Sequence, residues 1–254
     1  MKKIYLFLTA LLLTVAAGAQ TTIKGDVNGD GTVDIADVTE VVNIILNPDS
    51  DDDTPALPDT PTITTGEAID LGLSVKWASC NVGATAPEEY GGYYAWGETE
   101  EKSDYSWKNY KYLNNAKGVI SKYCSHDDGI GVIDNKTTLE PADDVASVKW
   151  GGKWRMPTLD EIKELKDNCT WEWTTLDGVN GYRVTGPNSN SIFLPAAGYR
   201  YGTEIMFLGL GHYWSSSLGR DSSQCGYVLG FNSDKYDRYI GKRYIGNPVR
   251  PVCP

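Results

Sequence analysis

Residues 150–173, WGGKWRMPTLDEIKELKDNCTWEW, constrain the fold most, because consecutive residues specify a helix's start, its two faces and its surroundings. Thr158 stands at an N-cap position with Glu161 three residues on. Hydroxyl and carboxylate can therefore each satisfy a backbone N–H of the first turn, and Pro157 closes the approach. Leu159, Ile162 and Leu165 then form an apolar stripe, while Asp160, Lys163, Glu164 and Lys166 face water. Trp150, Trp154, Trp171 and Trp173 bracket this helix with the apolar area needed to dock it on a sheet.

The rest of the C-terminal region reads as short strands. Ile69, Leu71, Leu73, Val75 and Trp77 alternate at period two and predict a first strand. Residues 87–125 are loop-rich, and Asp143 to Val148 lead into the helix. After Trp173, segments at 182–185, 191–194, 213–217, 226–231, 236–240 and 249–252 read as strands between Gly, Asn, Asp and Pro turns. One or two helices followed by a run of strands predict an α+β class. All but two of the 28 Trp, Tyr and Phe residues lie at or beyond Trp77 and are available to fill the core.

Six motifs occur in order: DLGLSVKWASCNVGA from Asp70, YYAWGETE from Tyr93, WRMPTLDEI from Trp154, SIFLPAAGYR from Ser191, YWSSS from Tyr213 and VRPVCP at the end. WRMPTLDEI resembles a stretch of the formylglycine-generating-enzyme superfamily. The whole set resembles the Fibrobacter succinogenes major paralogous (FISUMP) domain over residues 67–254. That resemblance implies a C-type-lectin-like α+β fold used on bacterial surfaces and in secreted proteins, and it implies no particular ligand. A lectin calcium–sugar site is not expected: Glu140-Pro141-Ala142 is the nearest approach to Glu-Pro-Asn, and Trp-Asn-Asp does not occur. Cys225 and Cys253 lie outside a context matching the paired cysteines of the enzymes, so no catalytic residue and no enzymatic activity are expected.

The N-terminal quarter has different chemistry. Residues 1–19 read as a signal peptide, with basic Lys2 and Lys3, an apolar run from Ile4 to Val15, and Ala17-Gly18-Ala19 before a cleavage point. The apolar run is shorter than a spanning helix and no later segment could span a bilayer, so the protein is expected to be secreted or held at the cell surface. Asp26, Asn28, Asp30, Thr32 through its carbonyl, Asp34 and Asp37 then occupy the oxygen-donor positions of a twelve-residue calcium loop, with Gly31 at the sharp turn. Calcium is a hard cation that takes six to eight oxygens, and these carboxylates repel one another without it. Asp37 replaces the usual Glu at the twelfth position, and a helix follows the loop with none before it. Residues 20–46 therefore resemble one type I dockerin repeat, an EF-hand-like loop and helix.

Val38, Val41, Val42, Ile45 and Leu46 give that helix one apolar face, ended by Pro48. A single short helix is marginal alone, so the face requires a partner: a cohesin-like protein, a second copy, or the chain's own large domain. Residues 47–66, rich in Pro and Asp, read as an acidic spacer.

The formal net charge is −11, and residues 20–61 alone carry ten acids against Lys24. Such a chain offers no basic face to nucleic acid or anionic membrane. Five cysteines in an exported chain predict up to two disulfides among Cys80, Cys124, Cys169, Cys225 and Cys253. His126 reads as an exposed loop residue, His212 as packing, and Glu98, Glu100 and Glu101 as a solvated loop. Trp96, Trp107, Tyr199, Tyr201 and Tyr213 are the candidates for stacking on a glycan or docking a surface protein. The expectation is a non-catalytic binding protein; the rivals are a dockerin-bearing component of a polysaccharide-degrading system and a fimbria-like structural subunit.

Overall fold

The structure, a computed structural model, describes residues 27, 32–33, 66–125, 130–220 and 222–254. The chain divides into two compact units, Met1–Thr60 and Pro61–Pro254. The predicted signal peptide, most of the dockerin-like repeat, the predicted spacer up to residue 65, and His126 lie outside the described residues.

The large unit is built from antiparallel sheets. Strands β1 (Ala68–Ile69), β2 (Lys76–Ala78) and β13 (Val252–Cys253) form one, with β2 in the middle, so the first and last strands of the unit flank one neighbour. A meander of β5 (Thr170–Leu176), β6 (Val179–Thr185) and β7 (Ser191–Pro195) forms the second. The third is β10 (Gly211–Leu218), β11 (Cys225–Phe231) and β12 (Tyr236–Lys242). Two small hairpins, β3–β4 (Leu113–Asn114, Val119–Ile120) and β8–β9 (Tyr199–Tyr201, Glu204–Met206), project from the loops. Among the described residues the α-helices are α1 (Val145–Trp150) and α2 (Leu159–Asn168).

This corrects the expected α+β class. Strands dominate, the helices span six and ten residues, and no EF-hand loop and helix is evident among the described residues, so the described fold is β-rich. The expected first strand is also broken. Asp70 Oδ1 accepts the Gly72 N–H at 2.7 Å, Gly72 turns at φ +75°, and the Asn188 and Asn190 amides hold the Asp70 carbonyl at 2.8 Å. Local polar capture of the backbone thus overrides apolar alternation. Trp171 and Trp173 lie in β5, directly after the helix they were expected to flank, their rings edge-on to Tyr182 and packed against the core that holds Ile162 and Leu165.

Helix α2 forms where its flanks place it. Thr158 Oγ1 accepts the Glu161 N–H at 3.3 Å while Glu161 Oε2 accepts the Thr158 N–H at 2.8 Å, a reciprocal capping box. Ile162 and Leu165 are its buried residues. Arg155 forks onto both Glu161 oxygens at 2.5 and 2.8 Å, tying the cap to the preceding turn.

The β10–β11–β12 sheet lies between two cores. Side chains alternate across a strand: Trp214 and Val228 enter a core with Trp96, Tyr105, Tyr110, Tyr112 and Tyr123, while Tyr213, Leu229 and Phe231 enter one with Trp77, Ile162, Leu165 and Leu194. Central β11, CGYVLGF, is consequently near-continuously apolar and buried.

Two buried arginines knit these layers together. Arg250 donates from Nε to Asn81 Oδ1 at 2.8 Å, from Nη1 to the Ala78 carbonyl at 2.9 Å and from Nη2 to the Phe193 carbonyl at 2.8 Å. Arg243 donates to Tyr110 Oη at 2.7 Å and to the carbonyls of Ser223, Lys122 and Tyr123. Its guanidinium lies over the Trp96, Tyr110, Tyr112 and Tyr123 rings at 4.7 to 5.8 Å. Both guanidinium groups are met by neutral acceptors and π-faces rather than by carboxylates, and burial pushes Arg250 below its ordinary value.

The five cysteines form no disulfide, which corrects the expected pairing. Cys80, Cys124, Cys225 and Cys253 are buried, Cys169 half-buried, and Cys124 Sγ lies 3.1 Å from Ser223 Oγ. Behind the aromatic core, Asp143 meets Lys111 at 3.1 Å, Lys122 at 2.5 Å and the Tyr123 hydroxyl at 2.7 Å. Burial alone would raise the Asp143 carboxyl, but these donors outweigh it and hold it well below the usual carboxylate range.

Arg250→Met strips the partner from two buried carbonyls and Asn81, each costing about 1–3 kcal/mol when unsatisfied. Urea unfolding is expected to show a loss on the order of 3 kcal/mol. Because the folded-state pKa of Asp143 is depressed, its stabilisation is complete above the unfolded-state value near pH 4 and lost as pH falls toward the folded value. Asp143→Asn is therefore expected to lower stability at pH 7 and to flatten the fall in midpoint below about pH 4.

Candidate functional site

Of the expected calcium ligands, only Thr32 is among the described residues, where it is exposed beside exposed Val33. Asp26, Asn28, Asp30, Asp34 and Asp37 lie outside them. Among the described residues no cluster of three or more His, Cys, Asp or Glu side chains could hold a metal.

The five candidate stacking aromatics are split by the fold. Trp96 is fully buried, its indole N–H donating to the Ser215 carbonyl at 2.8 Å. Tyr213 is buried too, its hydroxyl donating to the Pro195 carbonyl at 2.8 Å. Neither ring face can reach a ligand, because Trp96, in a turn, and Tyr213, within β10, each fill one of the two cores. Trp107 is half-buried and stacks on Tyr110 with centroids 5.3 Å apart. Tyr244 joins it to exposed Tyr201, at centroid distances of 5.5 Å from Trp107 and 6.0 Å from Tyr201. These three rings incline to one another by 62° and 55°, so they form a ridge rather than a flat platform.

Tyr199, one residue from Arg200 on β8, belongs to a different group. Its ring lies 4.9 Å from the His212 imidazole and 5.7 Å from Phe207. Phe207, Leu208, Ile205 and Tyr201 are all exposed around this hairpin. Next to His212, at the open end of the third sheet, a slot of about 270 Å³ is lined by Leu210, His212, Phe231, Asn232, Lys235 and Tyr239. A larger cleft of about 520 Å³ opens at the start of α2, with hydroxyls of Thr137, Thr138, Thr158 and Ser217 and the Tyr227 ring in its lining. The Thr158 and Ser217 oxygens already accept from the Glu161 and Leu159 N–H groups, so two of those hydroxyls serve the helix cap.

Of the Glu98, Glu100 and Glu101 cluster, read as a solvated loop, Glu100 and Glu101 are exposed and Glu98 is not. Glu98 is buried, pairs with Lys102 at 2.8 Å and accepts the Lys111 N–H at 2.8 Å. Glu100 pairs with Lys149 at 2.5 Å, and Glu101 accepts the Tyr93 N–H at 2.9 Å. His212, expected to be packing, is half-buried, and burial lowers its pKa from the ordinary imidazole value.

The Dockerin type I domain family model matches residues 24–70, a span that covers the predicted calcium loop and helix and ends just beyond β1. No curated protein and no solved structure matches the chain. Among the described residues no helix is long and apolar enough to cross a membrane.

The split among the aromatics has a measurable consequence. Trp96→Ala opens a large core cavity and removes the partner of the Ser215 carbonyl, with an expected cost of about 3–5 kcal/mol. Tyr201→Ala, on the surface, is expected to change stability by less than about 1 kcal/mol, and thermal denaturation of the two variants checks the contrast.

Proposed function

We propose that this chain is a secreted or cell-surface, non-catalytic binding protein in which residues 20–46 form a calcium-ordered docking element and the large unit recognises a ligand. The observation that carries the reading is the Dockerin type I match over residues 24–70, which falls on the loop with calcium-ligand spacing. The donor set fits the ion: four carboxylates (Asp26, Asp30, Asp34, Asp37), the Asn28 amide and the Thr32 carbonyl are all hard oxygens, and neither thiolate nor imidazole is among them. Type I dockerin domains bind calcium and cohesins. Here calcium would neutralise the acidic loop, order the following helix and present Val38, Val41, Val42, Ile45 and Leu46 as one apolar face to a cohesin-like partner. The same match favours placing the chain in a cellulosome-like, polysaccharide-degrading assembly.

The order of the six C-terminal motifs supports a FISUMP-like identity for the large unit. Its carboxylates at 98–101 are engaged in ion pairs and backbone hydrogen bonds, which favours binding over hydrolysis.

Extracellular calcium modules bind at roughly 10⁻⁴ to 10⁻³ M. Calorimetric titration of the full chain is expected to show one site in that range. Asp26→Ala and Asp37→Ala are each expected to abolish it, together with calcium-dependent capture on an immobilised cohesin. Calcium binding unchanged in both variants would sink the assignment.

A further inference from the structure

The slot at the open end of the β10–β11–β12 sheet has features that neither packing nor the docking element uses. Gly230 shapes it: a Cβ there would fall 2.5 Å from Tyr239 Cδ2, so the Tyr239 ring lies across a position where a side chain would collide. The result is an apolar recess of about 270 Å³, small beside the roughly 300–1,000 Å³ of drug-sized sites and close to the room one sugar ring requires.

Its polar groups are few and unspent. Among the described residues neither nitrogen of the His212 imidazole has a hydrogen-bond partner. Burial favours the neutral ring, which offers one N–H donor and one acceptor. Asn232 Oδ1 is anchored by the Asp234 and Lys235 N–H groups at 3.0 and 2.9 Å, which fixes the amide and leaves its NH₂ as a donor. Lys235 has no ion-pair partner among the described residues. Around the rim stand aromatic rings that remain in contact with water, Tyr239 on one side and Phe207 with Tyr199 beyond His212 on the other.

We propose that this slot binds a terminal pyranose ring of a glycan, with the exposed Tyr239 ring packing on its C–H face and His212, Asn232 and Lys235 bonding its hydroxyls. A ring with an apolar face and hydroxyl edges matches aromatic walls joined to a handful of donors and one acceptor. The proposal rests on the reading of the large unit as a ligand-recognition module and names the ligand class and the place.

The test uses the full chain and a panel of methyl pyranosides (glucoside, galactoside, mannoside, xyloside) followed by saturation-transfer NMR, with the His212 imidazole ¹⁵N resonances recorded in parallel. At least one pyranoside is expected to show transfer and to shift the His212 signals. Tyr239→Ala and, as a second variant at an exposed turn, Asn232→Ala are each expected to weaken binding at least ten-fold. Pyranoside binding that persists in both variants with unmoved His212 resonances overturns the slot while leaving ligand recognition by the large unit intact. No transfer to any pyranoside, together with no binding of the chain on a glycan array, overturns the slot and the glycan-recognition reading together.

Discussion

The large unit is held together by cations where a hydrophobic core is usually uninterrupted. Arg250 reaches Ala78 in β2, Phe193 in β7 and Asn81 in the loop after β2, elements separated by more than a hundred residues in sequence. Burying a guanidinium is costly unless its donors are met. Here geometry meets them with carbonyls, which cannot be supplied by one local segment. The strands must therefore assemble around the arginine, and a slipped register would leave donors and carbonyls bare together. Arg243 performs the same function in the other core, where four aromatic rings and a tyrosine hydroxyl replace a counter-ion. With two layers of short strands and small helices, this unit gains through such polar stitching what long elements would obtain from continuous pairing.

That constraint explains the six motifs. Tyr213 of YWSSS donates to the Pro195 carbonyl of SIFLPAAGYR and accepts from the Asn81 amide of the ASCN segment. Trp214 donates to the Tyr94 carbonyl and Trp96 to the Ser215 carbonyl, which joins YYAWGETE to YWSSS from both sides. Backbone hydrogen bonds between Arg155 and Val252 tie WRMPT to VRPVCP. The motifs that make the resemblance readable are thus the interior seams of the unit. Many of their polar groups are therefore spent inward.

The surfaces left for recognition are formed by residues between those seams. The β8–β9 hairpin carries exposed Tyr201 and Ile205, with Phe207 and Leu208 just beyond it, and its neighbour is the slot beside His212. In residues 26–37 the spacing alone sets the electrostatics: four carboxylates in twelve residues repel one another unless a cation compensates them.

Local chemistry was legible in the sequence wherever it needed only neighbours. The capping box of Thr158 and Glu161, the buried stripe of Ile162 and Leu165, and the strands β6, β7, β10, β11 and β12 follow from spacing alone, because hydrogen bonds and periodicity act within a few residues. The oxygen-ligand spacing at 26–37 was readable for the same reason. Tertiary structure decided what neighbours could not: that strands outweigh helices, that Asp70 is captured by Asn188 and Asn190 so the first strand breaks, and that the five thiols form no disulfide. Tertiary structure also decided which aromatics are spent. Trp96 and Tyr213 look like Tyr201 in one dimension, but only contact with strands far along the chain determines whether a ring faces a core or water.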